Sequence, residues 1–502
     1  MLASGHSEEL TRLSNAVLQP GFEGTEAPDW VRRRIGEGLA AVVLFGRNIA
    51  GPEQVARLTA SLRAENPDLI VAIDEEAGDV TRLEAWTGAS RPGNLALGAV
   101  DDTALTESVA QDIGRELRAA GVTLDYAPSV DVNSNPLNPV IGVRSFGATT
   151  GLVSRHTAAW VRGLQSAGVA ACAKHFPGHG DTAVDSHHGL PRVTASLEEL
   201  AATALPPFTA AMKAGVRVVM TGHLLVPALD ADLPATLSRR VLDELLRGEL
   251  GFDGLVVTDG IEMSAVSGRY GIDGATVRAV AGGADAVCVG GESAKESTTE
   301  LLASALARAV MDGSLPEERL ARAAARVAEF AAWSRQLRQA AATGPATTGI
   351  GLVAARRAVQ VISRPGTALP LTADPHVVEL VPTSTLAIDR QTPWGVAAPL
   401  RDLRPGTTSV RLTHPDLGEQ TLREDALAPA AGRPLVIVVR DAARHAWMSR
   451  AAERLLRDRP DAVVVEMGVP GTPLPAAVYL ATHGATRVSG QAAAELLAGA
   501  PA

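Results

Sequence analysis

The chain has 502 residues, with 46 lysines and arginines against 56 aspartates and glutamates, and its length suggests two or three domains. A hydrophobic share of 46% and a charged share of 20% exclude an intrinsically disordered protein. The net charge of −10 argues against nucleic acid or an anionic membrane as a partner, because both select basic surfaces. The two cysteines, Cys172 and Cys288, stand in apolar stretches and are predicted to be buried thiols.

The first ten residues, MLASGHSEEL, lack the basic start and apolar segment of a secretory signal. The apolar runs, such as 39–45, are much shorter than the roughly 18 residues of a membrane span. We therefore expect a cytoplasmic protein without a membrane partner.

Short β-rich runs alternate with amphipathic stretches through the first 300 residues or so, a pattern typical of a parallel sheet. Strands are predicted at 16–22, 41–47, 69–74, 122–127, 170–176, 216–222, 254–259 and 285–290. Helices between them are predicted at 52–66, 102–120, 151–167, 197–214, 239–250 and 274–281. Eight units suit a closed (β/α)8 TIM barrel. A doubly wound open sheet is the alternative, but no GxGxxG motif follows the first strand.

The remaining sequence predicts a second domain. Residues 292–333 are expected to be helices that complete a barrel domain at 1–337, and an Ala/Thr/Gly/Pro-rich tract at 338–349 is expected to be a linker. Residues 350–502 are predicted to form a smaller α/β sandwich with a helix at 353–359. Its strands are predicted at 376–382, 409–413, 434–439, 462–467 and 486–489.

Polar residues stand at the ends of several predicted barrel strands, where the active sites of TIM barrels are built. They are Asp74, Lys174, His175, His223 and Asp259. Lys174 is one of only three lysines among 46 basic residues. A lysine kept in such a chain indicates a place where a compact point charge is needed, which arginine does not supply.

Four of the 11 histidines fall within residues 173–188, in a loop rich in glycine and proline. One interpretation is a polar loop whose histidines bind one another and the backbone. Another is a metal site, since the loop offers several possible ligands: His175, His179, Asp181, Asp185 and His187. That interpretation leaves Lys174 unexplained, because a cation beside a divalent metal is unfavourable.

A third interpretation is acid–base chemistry. Asp185 precedes His187 by two residues, and a carboxylate bound to one ring nitrogen fixes the tautomer and makes the imidazole more basic. Asp259, at the end of an apolar strand, would then be a nucleophile. A retaining glycosidase needs these two groups, one to attack the anomeric carbon and one to protonate the leaving oxygen.

Several segments resemble glycoside hydrolase family 3, in its β-N-acetylglucosaminidase branch. KHFPGHGDTAVDSHHGLP, from Lys174 to Pro191, is similar to the family's signature, and VVTDGIEM resembles the segment that carries its nucleophilic aspartate. IDEEAGDVTRL and NPVIGVRSFG look like its sugar-binding segments. Two departures are Ala77-Gly78, where the family usually has Gly-Gly, and Gly260 after the aspartate. The resemblance covers roughly residues 13–371.

The resemblance implies a retaining double displacement without a metal or cofactor. Asp259 would be the nucleophile, and His187 paired with Asp185 would be the acid/base. The sugar would be bound by Asp74, Arg144, Lys174 and His175, with Asp125 and His223 as further candidates. Glu379 and Glu466 of the second domain would be structural.

The expected function is exo-acting release of terminal GlcNAc from short glycosides, such as chitobiose-like disaccharides or cell-wall fragments met during peptidoglycan recycling. The chain has only 16 aromatic residues, too few for a platform that binds polysaccharide. Phosphorolysis is the alternative, because a histidine that has lost its proton is neutral and does not repel phosphate. A metal-dependent hydrolase and a sugar-binding protein without catalysis remain open.

Overall fold

The computed structural model describes residues 2–182, 189–342, 344, 349–382, 392–413 and 417–500. The chain divides into two compact units. The first comprises residues 1–76, 106–141 and 148–347, and the second comprises 77–105, 142–147 and 348–502. The domain bounds at 337 and 350 stay a prediction, and the helix Glu317–Ala340 continues into the predicted linker.

The described residues of the first unit form eight strands, and each lies within a range predicted from the sequence. They are β1 (Leu18–Pro20), β2 (Ala41–Leu44), β3 (Ile70–Ile73), β4 (Leu124–Asp125), β5 (Ala170–Phe176), β6 (Val218–Thr221), β7 (Leu255–Thr258) and β8 (Val287–Val289). Strands β2 to β7 pair in chain order, and β1 pairs in parallel with β8. The amide of Thr258 donates to the carbonyl of Ala286 at 3.0 Å and joins β7 to the chain entering β8. The fold is the predicted (β/α)8 barrel.

The interior of the barrel is filled by alternate residues of its strands, as the two-residue period of a β-strand requires. The helix Glu317–Ala340 adds Val327 and Phe330 to this cluster. Both free cysteines are buried in it, as predicted. The strand and strand-end residues of the cluster are Ala41, Val43, Ile70, Ala72, Leu124, Tyr126, Ala170, Cys172, Val218, Met220, Leu255, Val257, Ala286 and Cys288.

Helices follow or connect these strands. They are Leu2–Ala16, Asp29–Gly36, Pro52–Glu65, Thr103–Ala119, Thr150–Ser166, Leu197–Thr203, Pro206–Lys213, Arg240–Glu249, Ser264–Gly282, Glu296–Met311 and Glu317–Ala340. The helix predicted at 197–214 is two helices, with Pro206 at the start of the second. No helix in the described part of the chain is long and apolar enough to span a bilayer.

The second unit is built on one six-stranded sheet. Its strands are β9 (Gln360–Ser363), β10 (His376–Val381), β11 (Thr408–Thr413), β12 (Leu435–Val439), β13 (Val463–Glu466) and β14 (Val478–Ala481). They lie in the order β11-β10-β12-β13-β14-β9, parallel except for β9. The helices among its described residues are Asn94–Val100, Gly142–Arg144, Ile350–Ala358, Ala397–Leu403, Glu419–Thr421, Leu422–Leu427, Ala442–Arg444, Ala446–Asp458 and Arg487–Ala498.

Alternate residues of the central strands of this sheet pack in two separate apolar clusters. Val378 and Ile437 pack with the helix Ala446–Asp458, whereas Val377 and Val436 pack with the helix Arg487–Ala498. Helices therefore cover both faces, and the unit is the predicted α/β sandwich.

The strand predicted at 486–489 is wrong. Thr486 is the N-cap of the helix Arg487–Ala498, and its hydroxyl accepts from the amide of Ser489 at 3.0 Å. Threonine and serine fit this capping role as readily as they fit a strand, and the capping contact decides between them. Two strands were not predicted: β9, an antiparallel edge strand whose residues are all exposed, and β14.

Candidate active site

The polar groups predicted from the barrel strands meet at the carboxyl edge of the sheet. Asp74 directly follows β3, Asp259 directly follows β7, and Lys174 lies near the end of β5. Burial is the main cause that raises the pKa of the Cys288 thiol well above its ordinary value, and the charges of Glu262, Asp74 and Asp259 raise it further. Asp74 and Asp259 thus lie at the same edge of the sheet, and Asp259 itself is half-buried.

Lys174 binds two carboxylates in the interior of the site. Its Nζ lies 2.6 Å from Asp74 Oδ1 and 2.6 Å from Glu76 Oε1. The side chains of Lys174 and Glu76 are only 2% exposed, whereas that of Asp74 is 24% exposed. A compact ammonium with three donors fits between two close carboxylates, which accounts for a lysine here in an arginine-rich chain. Asp74 therefore has an accessible edge that could accept hydrogen bonds from a ligand.

His175 is oriented by a buried carboxylate that the sequence did not single out. Its Nδ1 lies 2.8 Å from Asp131 Oδ2, and Asp131 also accepts from the hydroxyl of Ser129 at 2.9 Å and the amide of His179 at 2.6 Å. Burial alone raises the pKa of Asp131, but its interactions with His175 and His179 together outweigh burial and hold the pKa below its ordinary value. The anionic Asp131 fixes the ring of His175 and the loop that follows β5.

His179 supports the same loop. Its Nδ1 lies 2.8 Å from the hydroxyl of Thr182, and its carbonyl accepts from the side-chain amide of Asn138 at 2.8 Å. The predicted acid/base pair, Asp185 and His187, lies outside the described residues, so its geometry stays a prediction. In the described ranges, no three His, Cys, Asp or Glu side chains are arranged to hold a metal ion.

The chain that carries Asp259 is held by hydrogen bonds on both sides. Asp259 Oδ1 accepts from the amide of Gly260 at 2.8 Å, and the buried His223 donates from Nε2 to the carbonyl of Gly260 at 2.9 Å. His223 Nδ1 contacts the hydroxyl of Thr236 at 2.9 Å. These contacts place His223 behind the Asp259 turn, where it can position the predicted nucleophile.

Glu262 connects the same turn to the end of β8. Its Oε1 accepts from the amides of Gly290 at 2.9 Å and Gly291 at 2.5 Å. A carboxylate that binds successive amides fixes a loop strongly. Glu262 therefore links the turn after β7 to the strand that closes the barrel.

Two further predicted site residues have different environments. Asp125, the last residue of β4, is completely buried and accepts from the amide of Glu75 at 2.9 Å. Arg144 lies in the second unit, in the short helix Gly142–Arg144, where its carbonyl accepts from the side-chain amide of Asn94 at 2.7 Å. The roles predicted for both in sugar binding stay predictions.

The comparisons with known proteins agree with this arrangement. Residues 25–330 match the model of the family described as glycosyl hydrolase family 3 N terminal domain. A β-hexosaminidase A from Pseudoalteromonas piscicida is 32% identical over 428 residues, which cover 78% of this chain and 71% of that protein. The chain belongs to glycoside hydrolase family 3.

Further relatives match about half of the chain or nearly all of it. A β-hexosaminidase from Stenotrophomonas maltophilia is 38% identical over 283 residues, 54% of this chain and 83% of that protein. A solved structure of a glycoside hydrolase family 3 β-N-acetylglucosaminidase from Paenibacillus sp. is 34% identical, with a TM-score of 0.86. That match covers 98% of this chain and 97% of the other, so the two-unit architecture recurs in a family 3 enzyme.

The structure shows the backbone cost of one departure of this glycoside hydrolase from the family pattern, the alanine at position 77. Ala77 has a φ of 60°, in the left-handed region that glycine adopts at lower cost than alanine. A Cβ at the next position, Gly78, would lie 2.4 Å from Gly93 Cα, so glycine is required there. The first position of the turn thus tolerates a methyl group at some strain, and the second does not.

The glutamates of the second unit bind backbone amides. Glu379 Oε1 accepts from Val396 N at 2.9 Å, and Glu466 Oε1 accepts from the amides of Asp441 and Gly468, each at 2.8 Å. Burial raises the pKa of Glu466 to about 8. These contacts fit the structural role expected for both.

Proposed function

We propose that the chain is a retaining, exo-acting β-N-acetylglucosaminidase that releases terminal GlcNAc from short glycosides. The observation that carries the proposal is the position of Asp259 and of the Asp74–Lys174 pair at the carboxyl edge of one family 3 barrel. The printed names of the relatives, β-hexosaminidase and β-N-acetylglucosaminidase, support the choice of sugar.

The proposed reaction has two displacements. Asp259 attacks the anomeric carbon and forms a glycosyl ester, while His187, oriented by Asp185, gives its proton to the leaving oxygen. His187 then takes a proton from water, and the resulting hydroxide displaces Asp259 and restores the anomeric configuration. Asp74 and His175 hold the sugar hydroxyls, with Lys174 and Asp131 fixing their side chains.

The proposed substrates are short, such as chitobiose-like disaccharides or cell-wall fragments. Trp86 is the one aromatic residue among the exposed large hydrophobic side chains of the described ranges, so these ranges offer no aromatic platform for a long polysaccharide. A role in recycling peptidoglycan fragments in the cytoplasm is part of this proposal. Higher catalytic efficiency on insoluble chitin than on disaccharides would contradict it.

The first test is release of p-nitrophenol from p-nitrophenyl N-acetyl-β-glucosaminide, with and without phosphate or EDTA. We expect free GlcNAc at the same rate in every buffer. Stimulation by phosphate with GlcNAc 1-phosphate as the product would show a phosphorylase, and loss of activity in EDTA would show a metal-dependent hydrolase. Absence of cleavage throughout would contradict the proposed function.

Replacement of His187 by alanine tests the acid/base assignment. Because p-nitrophenolate leaves with little protonation whereas a sugar alkoxide needs a proton, the loss of kcat/KM should be larger on a disaccharide by about 10²-fold or more. The control is replacement of the neighbouring histidine, His188→Ala, which should change kcat/KM by the same factor on both substrates. Equal losses on the two substrates in the His187 variant would contradict its role as the acid.

A further inference from the structure

Asp125 is a buried carboxyl placed between the two strands that supply Asp74 and Lys174. It pairs in register with Ile73 of β3 on one side and Ala171 of β5 on the other, and it is 0% exposed. Its Oδ1 accepts from the amide of Glu75 at 2.9 Å. Glu75 stands between Asp74 and Glu76, so this hydrogen bond fixes the backbone that presents both carboxylates to Lys174.

The surroundings of Asp125 are unfavourable for a negative charge. Asp74 and Glu75 at the end of β3 lie close enough to interact with its charge, as do Cys172 and Lys174 of β5. Lys174 is already bound by Asp74 and Glu76. Asp125 Oδ2 is buried and has no hydrogen-bond partner in the described part of the chain. An ionised carboxylate without a bound cation or a full set of donors is costly in such a place.

We propose that Asp125 is a positioning residue rather than a sugar ligand: a neutral carboxylic acid that anchors the Glu75 amide and so holds Asp74 and Glu76 against Lys174. The expected effect of Asp125 on turnover rests on the proposed function, whereas the protonation state of Asp125 does not. Complete burial removes it from direct contact with solvent, and its one acceptor contact with Glu75 needs no charge.

The protonation state has a consequence for stability. Burial, together with the charges of Glu75 and Asp74, raises the pKa of Asp125 well above its ordinary value, although the Glu75 amide and Lys174 oppose this. Above the ordinary pKa the folded protein keeps a proton that the unfolded chain releases, so stability falls as pH rises. The Asp125→Asn variant keeps the acceptor oxygen and has no proton to release. Its stability therefore does not fall with rising pH on account of this residue.

The test compares the melting temperatures of wild type and Asp125→Asn between about pH 4 and pH 7. We expect the melting temperature of the Asp125→Asn variant to increase relative to that of the wild type as pH rises. Asp131→Asn is the matched control, because Asp131 is equally buried but its pKa is lowered. The Asp131 variant should show no such increase, because a carboxylate whose pKa lies below its ordinary value is ionised in both the folded and the unfolded protein over most of this range. The same lack of increase in the Asp125 variant would show an ionised Asp125 and overturn the proposal.

Measurements of kcat/KM distinguish a positioning role of Asp125 from a need for its negative charge. On the aryl glycoside, Asp125→Asn should keep kcat/KM within about fivefold of wild type, whereas Asp125→Leu, which cannot accept from Glu75, should lose about 10- to 100-fold. Equal losses in the two variants would show that the carboxylate itself is needed and would overturn the proposal. Should the wild type cleave no glycoside, the proposed function fails while the melting temperatures still decide the state of Asp125.

Discussion

Replacing Asp259 by alanine is expected to lower kcat on the aryl glycoside by a factor on the order of 10⁴ or more, because no nucleophile remains to form the glycosyl ester. Folding should be little affected, because Asp259 is half-buried and the turn keeps the contact between His223 and the Gly260 carbonyl. The measurement is steady-state release of p-nitrophenol together with the melting temperature of the variant.

The matched control is Asp253→Ala, which removes an aspartate near the opposite end of the same strand. Asp253 is 87% exposed and lies 3.6 Å from Arg217, so its removal should leave turnover unchanged. Added azide should restore part of the turnover of the Asp259 variant by attacking the anomeric carbon in place of the carboxylate. Turnover in the Asp259 variant within tenfold of wild type would contradict its assignment as the nucleophile.

Replacing Asp285 by alanine is expected to reduce the free energy of unfolding of the barrel by about 3–5 kcal/mol. Asp285 is completely buried just before β8 and binds Arg247, Arg319 at 3.2 Å and Arg326 at 3.4 Å. It also accepts from the amide of Val256 at 3.1 Å. Its removal leaves guanidinium groups without their shared carboxylate in a region largely closed to water.

Urea unfolding measures this loss, and Asp68→Ala provides the control. Asp68 also pairs with an arginine of the helix Glu317–Ala340, namely Arg335, but both side chains are 40% exposed or more. A surface pair of this kind contributes about 0–1 kcal/mol. Because Asp285 lies at the end of the barrel opposite the candidate site, the folded fraction of its variant should keep wild-type kcat. A loss of unfolding free energy no larger than that of Asp68→Ala would show that the buried cluster does not stabilise the barrel.

The strands of the barrel were predictable because their sequence pattern is strong. Parallel strands buried on both faces are near-continuous apolar runs, and β5 was predicted to the residue. The sequence pattern of the sandwich is weaker. Strand β9 is exposed at all four residues. The composition of the Thr486–Ser489 segment fits either a strand or the start of a helix. Local sequence does not decide such cases, since pairing partners and capping contacts do.

The sequence predicted the location of the candidate site, at the carboxyl edge of the barrel sheet, but not the contacts between its side chains. Strand ends located Asp74, Lys174 and Asp259, because the carboxyl ends of parallel strands meet at one edge. The partners Glu76 and Asp131 were not predicted, although the DEE run and the SVDVN segment place carboxylates at strand ends. Which carboxylate binds which cation depends on side-chain packing, which a linear pattern does not contain.

Mass spectrometry of the enzyme after reaction with a 5-fluoro N-acetylglucosaminyl fluoride, which slows hydrolysis of a covalent intermediate, tests the retaining mechanism most directly. We expect a mass increase of one fluorinated sugar and a labelled peptide in which the modified residue is Asp259. A label on another residue, or hydrolysis of the reagent with no covalent adduct at any time, would contradict a retaining mechanism with Asp259 as the nucleophile.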